Sequence, residues 1–499
     1  MNSDTHKTAE FDQFVQTTIE DWKVPGLAIA VIHKDEIFAK GYGLASCSGN
    51  QVTADTLFDC ASISKSLTAA AVSLLVDDNE KYPDVQWNTP VSRLLREDFV
   101  LEDAYSTQNV TIEDILSHRS GMPRHDESYF GVHAAVPDNP KSITRNLRNL
   151  PLTRPLRTEY QYCNMMYTVA SYMVETLSGE PFADFLNNRI WKPLGMANTY
   201  LDVPEVENNN AMSKMAKGYR WDQSTERYIE IPAIRQPEGQ GAGCVFSSAE
   251  DYAKWVRAMI KRAGPISEVA HKELIKPRII TDPYGDDRMP FHSHMCYALG
   301  WGLETYRGYT IVDHDGGVSG FGSLMRYIPE KEWGIVIFGN SNGANNAEEM
   351  ICWHLIDALL GTPSQEKFDY NTFLRNQEKE QREEEEKDPY PERPASALAP
   401  SAPISSYAGR YRNAGYHDLL VEIVDGKLQA DAKDRTFGFT LTFEHVSGEF
   451  FEVVMLDILD DTRRRLRAEF KLNSSGVVHD LGINLAGDMQ DPLIWFIRV

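Results

Sequence analysis

Two pairs of apolar runs, far apart in the chain, predict two β-hairpins. In the first pair, LAIAVI and IFAKGYG lie on either side of a polar turn at residues 33–36. In the second pair, SLMRYI and WGIVIFG flank the turn PEKE at residues 329–332. Short apolar runs separated by polar turn residues are typical of antiparallel strands. We expect both hairpins to join one antiparallel sheet, which the chain assembles from two distant segments.

Helical periodicity predicts most of the remaining elements in the first three quarters of the chain. Apolar residues three or four positions apart predict a helix at residues 11–22 and another at 345–361, which Gly361 ends. The same criterion makes residues 62–275 mostly helical, with long loops. A sheet with a helical region inserted between its two hairpins belongs to the α/β class.

The pattern changes after residue 361. The charged run EKEQREEEEKD at residues 378–388 predicts either a solvated helix or disorder, and residues 389–406 hold five prolines, which predicts an extended linker. From there to the last residue, short alternating strands recur between turns, which is typical of a small β-sandwich or barrel. The predicted domains are therefore residues 1–362, a charged and proline-rich linker at 363–406, and a β-rich domain at 407–499.

Composition narrows the range of partners and compartments. The 499 residues carry a formal net charge of -23, and this charge disfavours binding to nucleic acids or anionic membranes, whose phosphates would be repelled. No run approaches the ~20 apolar residues that cross a bilayer, and the first residues contain no apolar signal region. The six cysteines form no C-x-x-C pair, which favours free thiols. We therefore expect a cytoplasmic protein that binds neither nucleic acids nor membranes.

Candidate chemistry begins in the segment LFDCASISKSLTAAAVSLLV, where Ser62 and Lys65 stand three residues apart at a predicted helix start. Residues at positions i and i+3 share one helix face, so the lysine amine can reach the serine hydroxyl. The positive end of the helix lowers the pKa of a nearby amine, and its free N–H groups can stabilise an oxyanion. A serine needs such a base to act as a nucleophile. On the spacing alone, an N-cap serine and a surface lysine are the favoured interpretation, because serine, lysine and a three-residue gap are common.

Two later segments make the catalytic interpretation specific. YCN at residues 162–164 precedes a helical pattern, and HDG at 314–316 precedes the second hairpin. The ordered set S-x-x-K, Y-x-N and H-x-G resembles the motifs of the serine β-lactamase and penicillin-binding-protein superfamily. Other segments that look like this family are VPGLAIAVI, ILSHRSGMP, GAGCVFSSAEDYAKW and YALGWG.

The resemblance covers about residues 11–360 and is strongest to the branch that contains class C β-lactamases, D-aminopeptidases, family-VIII esterases and PBP-type thioesterases. It implies a β-lactamase/transpeptidase-like module, with an antiparallel sheet flanked by helices and a helical subdomain. The β-rich C-terminal part is similar to the lipocalin-like domain that follows this module in some members. We therefore expect a small antiparallel β-barrel there.

The resemblance also implies roles for individual residues. Ser62 would be the acylated nucleophile, and Lys65 and Tyr162 would share the general base and acid steps. Tyr162 would need nearby cations to act as a base, and Lys65 would supply one. Asn164 would hydrogen-bond Lys65 and the substrate, and His314 would orient Tyr162 or the substrate.

Further roles concern the strand that carries the third motif. Gly316 would leave room for close approach, and the backbone N–H groups of Ser62 and Gly317 would form the oxyanion hole. His118 would be a structural residue of a turn near the site. The resemblance requires no metal and no cofactor. Many β-lactam-recognising members have a lysine at the position of His314, and a histidine with a pKa of ~6.5 is mostly neutral at pH 7. The expected substrates are therefore small esters, thioesters or amides and not β-lactams.

Three functions remain open at this point. The first is a serine hydrolase that forms an acyl-enzyme and cleaves an ester or amide of a small molecule or short peptide, in the manner of an esterase or D-aminopeptidase. The second is an acyltransferase or cyclising thioesterase of small-molecule biosynthesis, which could require a carrier-protein partner. The third is a catalytically idle binding or scaffold protein, which the complete residue set disfavours. Homo-oligomers are compatible with all three.

Overall fold

The computed structural model describes residues 4–281, 283, 288–486 and 492–499. The helices of the described residues, α1 to α14, are Ala9–Asp21, Ser64–Asp77, Val91–Leu94, Ala104–Asn109, Ile112–Leu116, Pro140–Asn146, Asn164–Ser178, Phe182–Leu186, Lys192–Leu194, Asp202–Asn208, Ala249–Lys261, Glu268–Leu274, Ala344–Leu360 and Tyr370–Glu385.

The strands of the same residues, β1 to β21, are Gly26–His33, Glu36–Gly43, Phe58–Asp59, Thr199–Leu201, Gly218–Asp222, Arg227–Ile231, Val245–Ser247, Ile279–Ile280, Cys296–Tyr297, Gly302–Tyr306, Tyr309–Val318, Phe321–Ile328, Trp333–Gly339, Gly409–Asn413, His417–Val424, Lys427–Ala432, Phe439–Ser447, Phe450–Asp457, Arg463–Leu472, Val478–Ile483 and Ile494–Arg498.

The main sheet is antiparallel and contains both predicted hairpins. Its order over the described residues is β2-β1-β13-β12-β11-β10-β9-β8. Strand β1 pairs with β13 from Leu27↔Gly339 to His33↔Trp333, so the two distant hairpins do form one sheet. Successive side chains of a strand point to opposite faces, and those of β1 accordingly enter two different apolar cores. The continuous apolar run of β1 follows from burial on both faces.

Helices cover both faces of the main sheet. Helices α1 and α13 pack together, with α13 against β12 and β13, and α11 packs across β1 and β13. Helix α2 contacts α7 and α12, and nearly all of its side chains are buried, as expected from a helix made mostly of small and apolar residues. The inserted region also forms two small sheets, β3-β7-β4 and β5-β6. The sequence analysis missed them because their strands are only two to five residues long.

The C-terminal part forms a barrel, as the resemblance implied. Among the described residues, β14 to β21 pair in sequence order, and β14 closes the barrel by pairing with β21. Side chains fill its interior: the rings of Tyr407, Phe443 and Phe451 all pack against Phe470, with centroid separations of 5.1 to 5.9 Å. A barrel of this size can be filled by side chains or hold one small ligand, and here aromatic rings occupy the centre.

The predicted linker between the two domains contains a helix, followed by a proline-rich segment that contacts the barrel. Most of the charged run, residues 378–385, lies in α14, which is the solvated-helix alternative. Tyr370 and Leu374 are buried at the start of this helix, and the ring of Tyr370 stacks on Trp353 at 5.1 Å. The proline-rich part runs along the barrel, where Gly448 N–H donates to the Leu398 carbonyl oxygen at 2.8 Å. In the described ranges, no helix combines the length and the apolar character needed to cross a bilayer.

Candidate active site

Ser62 and Lys65 meet where a short 3-10 turn, Ala61–Ile63, continues into α2. The Lys65 Nζ donates to Ser62 Oγ at 2.9 Å and to the Ala242 carbonyl oxygen at 2.7 Å. Lys65 is fully buried. Burial, aided by the nearby Arg124 guanidinium, lowers the pKa of Lys65 to about 7. A large fraction of the amine is therefore neutral near pH 7 and can accept a proton from Ser62.

The backbone immediately before Ser62 is held in an unusual conformation. Ala61 has φ 44°, in the left-handed region that a side chain disfavours. The Asp59 carboxylate accepts the Ala61 N–H at 2.8 Å. Burial raises the pKa of Asp59 to about 7. Strained backbone of this kind persists only where surrounding contacts enforce it and is concentrated at functional sites.

Tyr162 completes a triangle with Ser62 and Lys65. Its hydroxyl donates to Ser62 Oγ at 2.7 Å, and its ring centre lies 4.8 Å from the Lys65 Nζ. Burial raises the pKa of the Tyr162 phenol, although the Ser62 hydrogen bond and Arg124 oppose this effect. The resting phenol is therefore protonated, which makes it a proton donor. The ring of His118 stacks on Tyr162 at 4.3 Å, and its Nδ1 accepts the Cys163 N–H at 3.0 Å.

Asn164 lies near this triangle but not in the contact that the resemblance implied. It is the first residue of α7, and its Nδ2 donates to Asp126 at 2.9 Å. Asp126 in turn forms an ion pair with Arg124 at 3.3 Å. Among the described residues, the structure gives Asn164 no hydrogen bond to Lys65, which uses the Ala242 carbonyl instead. The Asn164 amide still borders the cavity, where a substrate could contact it.

His314 lies on β11, where the resemblance implied that it would orient Tyr162 or the substrate. Its Nε2 is hydrogen-bonded to the Tyr297 hydroxyl at 2.8 Å, and its Nδ1 donates to the Asp315 carbonyl oxygen at 2.5 Å. No hydrogen bond to Tyr162 occurs in the described part of the chain. Burial lowers the pKa of His314 to about 4, so the ring is neutral at pH 7. Any effect on Tyr162 must pass through the packed aromatic rings around Tyr297.

Gly316 and Gly317 border the same cavity from β11. The last residue pair between β10 and β11 is Gly302↔Asp313, so the following part of β11 has an open edge over the described residues. A Cβ atom on Gly316 would lie 2.8 Å from the Ser62 backbone nitrogen and 2.4 Å from Ser323 Oγ. Only glycine therefore lets this strand lie against the turn Ala61–Ile63, here called the nucleophile turn because it carries the expected nucleophile Ser62.

The barrel of the same chain forms part of the cavity wall. The cavity has a volume of about 740 Å³ and is bordered by Ser62, Tyr162 and Asn164. The barrel lines its opposite side with Phe437, Met455, Asp457, Asp460 and Arg464. A second cavity of about 430 Å³ adjoins the first and shares Tyr160, Tyr162, Asp315 and Asn345 with it. In the described ranges, no three His, Cys, Asp or Glu side chains are grouped to hold a metal ion.

Sequence reasoning missed three parts of this site: the Arg124–Asp126 pair, the Ala242 carbonyl and the barrel wall. Arg124 directly follows the segment ILSHRSGMP, and this proximity was the available signal. A backbone carbonyl carries no residue-type signal at all. The barrel wall depends on how two distant parts of the chain dock.

Comparison with family models assigns both parts of the chain. Residues 11–359 match the model described as Beta-lactamase. Residues 393–498 match a domain of unknown function, DUF3471.

Individual proteins extend this similarity to the full chain. The chain is 39% identical over 493 residues to Unguisins hydrolase ungD' of Aspergillus campestris (strain IBT 28561), which covers 97% of this chain and 91% of that protein. The octameric penicillin-binding protein homologue from Pyrococcus abyssi has a TM-score of 0.62 at 21% identity, over 98% of this chain and 99% of that one. The D-amino acid amidase from Ochrobactrum anthropi SV3, complexed with L-phenylalanine amide, has a TM-score of 0.55 at 20% identity, over 70% of this chain and 99% of that one. The two structural similarities concern the fold alone.

Proposed function

The chain belongs to the beta-lactamase family and is a hydrolase of that serine superfamily, and on this premise we propose that it cleaves an amide bond through a covalent acyl-enzyme on Ser62. One observation carries the proposal. Ser62 Oγ lies within hydrogen-bond distance of the Lys65 amine, at 2.9 Å, and of the Tyr162 hydroxyl, at 2.7 Å. A serine with a buried amine as base and a protonated phenol beside it has the groups that acyl transfer needs.

In the proposed acylation step, neutral Lys65 accepts the Ser62 proton while Ser62 Oγ attacks the substrate carbonyl carbon. The backbone N–H groups of Ser62 and Gly317 stabilise the resulting oxyanion. Tyr162 gives its proton to the leaving nitrogen as the carbon–nitrogen bond breaks, and the Lys65 ammonium then returns a proton to Tyr162. The acyl group remains on Ser62 as an ester.

In the proposed deacylation step, water takes the place of the departed amine and loses a proton to the same basic groups. The acyl–oxygen bond breaks, and Ser62 recovers its proton. Hydrolysis is preferred over acyl transfer because a relative that matches nearly the whole chain is named a hydrolase. The idle-scaffold alternative is disfavoured because the three polar groups are in contact.

The proposed substrate is a compound of the unguisin type, by extension from the name of that relative. The cavity of about 740 Å³ supports this proposal, because it is much larger than a simple acyl ester requires. Neutral His314 supports an uncharged acyl compound over the carboxylate of a β-lactam. Amide cleavage is preferred over ester cleavage because the Tyr162 phenol beside Ser62 can give the proton that a departing amine needs more than an alkoxide does.

The test is to incubate the wild-type chain and Ser62→Ala with an unguisin and follow the products by mass spectrometry. The wild type should add one water to the substrate, and a fluorophosphonate should label Ser62 and block that reaction. Ser62→Ala should do neither, while it keeps the thermal unfolding midpoint of the wild type. Turnover by Ser62→Ala at the wild-type rate would refute the assigned nucleophile.

A further inference from the structure

The loop of residues 124–131, here called the 124–131 loop, lies between the barrel and the catalytic residues and contacts both. Two of its side chains face the catalytic residues. The Arg124 guanidinium lies 4.5 Å from the ring centre of Tyr162, and Asp126 accepts a hydrogen bond from Asn164. His125 and Glu127, which directly follow these two residues, contact the barrel instead. The loop therefore links two parts of the chain that have no sequence proximity.

Two barrel side chains hold the middle of this loop. The Tyr416 hydroxyl is hydrogen-bonded to the His125 Nδ1 at 2.6 Å, and both residues are buried. Arg464 forms an ion pair with Glu127. His125 has φ 52°, a left-handed conformation that a histidine keeps only where its surroundings enforce it. The barrel supplies part of that enforcement.

Backbone contacts extend the attachment to the end of the loop. The Thr436 N–H donates to the Tyr129 carbonyl oxygen at 3.0 Å. The Gly131 N–H donates to the Asp434 carbonyl oxygen, also at 3.0 Å. A Cβ atom on Gly131 would meet the Thr436 backbone at 3.0 Å, so the backbone of the loop lies in close contact with the backbone of the barrel. The loop and the barrel are thus in contact at five positions when Phe130 and Arg435 are included.

The position of the loop matters because of the charges around Lys65. Burial is the main cause of its lowered pKa; Arg124 lowers the pKa further, and Asp126 raises it by a smaller amount. The other titratable groups that face Lys65 lie outside the loop: Tyr162, Tyr167, His118, Cys244, His314 and Asp315. If the loop moved, the influences of Arg124 and Asp126 on the pKa of Lys65 would change, and those of the groups outside the loop would not.

We propose that the barrel positions the catalytic residues: Tyr416 and Arg464 hold the 124–131 loop, which in turn keeps Arg124 beside the general base. Serine activation then requires a docked barrel. The proposal rests on the proposed function, because it concerns the same nucleophile and base. Tyr416 and Arg464 are positioning residues, since neither forms a hydrogen bond with Ser62, Lys65 or Tyr162 among the described residues.

The physical consequence is a change in the pH dependence of acylation. A loosened loop moves the Arg124 guanidinium away from Lys65 and admits water, and both changes raise the pKa of Lys65 towards its ordinary value. The same movement takes the Asp126 carboxylate away from Lys65, which by itself lowers the pKa of Lys65. This influence is smaller than that of Arg124. The amine is then protonated at neutral pH and cannot accept the Ser62 proton. Acylation should slow at pH 7 and recover at higher pH.

The test measures the rate at which a fluorophosphonate labels Ser62, by intact-protein mass spectrometry, across the pH range. In Tyr416→Phe and Arg464→Met, the acidic limb of the rate profile should move to higher pH by about one unit, which from a pKa of about 7 corresponds to a rate loss of ~5-fold at pH 7 and ~10-fold well below it. Arg124→Met should show the same shift, and adding Tyr416→Phe to it should change little more. Arg464→Lys should lie near the wild type.

The matched control is Lys427→Met, which breaks an exposed barrel ion pair with Glu444 and should leave the profile unchanged. Tyr416→Phe removes one hydroxyl, so it decides the question if Arg464→Met does not fold. If the wild type is labelled and the pH profiles of both variants are unshifted, the positioning role alone is overturned. The same holds if the variants lose rate equally at every pH. A wild type that forms no Ser62-dependent adduct overturns the proposed function, and this proposal with it.

Discussion

The two walls of the active-site cavity are built in different ways. The inner wall consists of the nucleophile turn, the start of α7 and the open edge of β11, and its residues lie in or next to these elements. The outer wall consists of the 124–131 loop and the barrel, which are joined by contacts between residues as far apart as Glu127 and Arg464, 337 positions along the chain. The inner wall carries the proposed chemistry, and the outer wall sets its surroundings. Substitutions in the two walls should therefore differ in kind as well as in size.

The largest effect is expected from Lys65→Met in the inner wall. The change removes the buried amine that accepts the Ser62 proton in the proposed mechanism, and general-base catalysis contributes typically ~10²–10⁴-fold to a rate. Fluorophosphonate labelling of Ser62 should slow by about that factor, and the remaining rate should lose the dependence on pH near 7. The wild type should show that dependence, because its amine is protonated, and so inactive as a base, below a pKa of about 7.

Lys272→Met is the control for this change, because Lys272 forms an exposed ion pair with Glu268 on α12. Its labelling rate should equal that of the wild type. Wild-type labelling in Lys65→Met would show that another group is the base.

The next effect is expected from Tyr162→Phe, which keeps the ring and removes the proton donor. Burial keeps the phenol protonated at rest, so the loss should appear in the departure of the leaving group. Amide turnover should fall by ~10²-fold or more, while labelling by fluorophosphonate, whose fluoride leaving group needs less help, should fall less. Tyr160→Phe, in the same cavity but without a hydrogen bond to Ser62, should have a much smaller effect. Equal losses for both substrates would argue against the donor role.

A smaller but still clear effect is expected from Gly316→Ala. The added Cβ would lie 2.8 Å from the Ser62 backbone nitrogen, so β11 or the nucleophile turn must move. We expect slower labelling and a destabilisation of ~1–3 kcal/mol from overpacking, measured by denaturant unfolding. Gly317→Ala makes a useful comparison, because the one described atom that its added Cβ would meet within 4 Å is Asn345 Oδ1, at 3.4 Å. If Gly317→Ala were more harmful than Gly316→Ala, the close approach of Gly316 to Ser62 would not explain the slower labelling.

The smallest effect is expected in the outer wall, from Asp460→Ala. The barrel carboxylate accepts hydrogen bonds from Ser319 at 2.8 Å and from Asn342 at 3.0 Å. Its loss should loosen one corner of the cavity and raise KM by a few-fold with kcat nearly unchanged, since partly exposed hydrogen bonds contribute only ~1 kcal/mol. Asp461→Ala, which breaks an exposed pair with Arg220, is the control. A loss in kcat as large as that of Lys65→Met would erase the distinction between the walls.

The inner wall could largely be predicted, because its signals are local or belong to known motifs. The contact of Ser62 with Lys65 follows from their three-residue spacing on a helix, and the two hairpins follow from short apolar runs. Tyr162 was found through its motif, although its spacing of 100 residues from Ser62 carries no geometric information by itself. The expected contact of Asn164 with Lys65 and that of His314 with Tyr162 differ in the structure, where Asn164 donates to Asp126 and His314 is hydrogen-bonded to Tyr297. Motif spacing does not encode which of several nearby polar groups a side chain meets. The contacts of both residues with a substrate stay predictions.

The sequence by itself determined the order of elements, the barrel at the C-terminus and the residues that surround the nucleophile, because each depends on neighbours a few positions away or on a recognisable motif. Only the tertiary structure decided that the barrel forms a wall of the cavity, that Arg124 stands over Tyr162 and that a backbone carbonyl binds Lys65. These contacts depend on how complete surfaces fit together. Their energy is spread over many weak interactions between residues hundreds of positions apart, and no local pattern encodes such a fit.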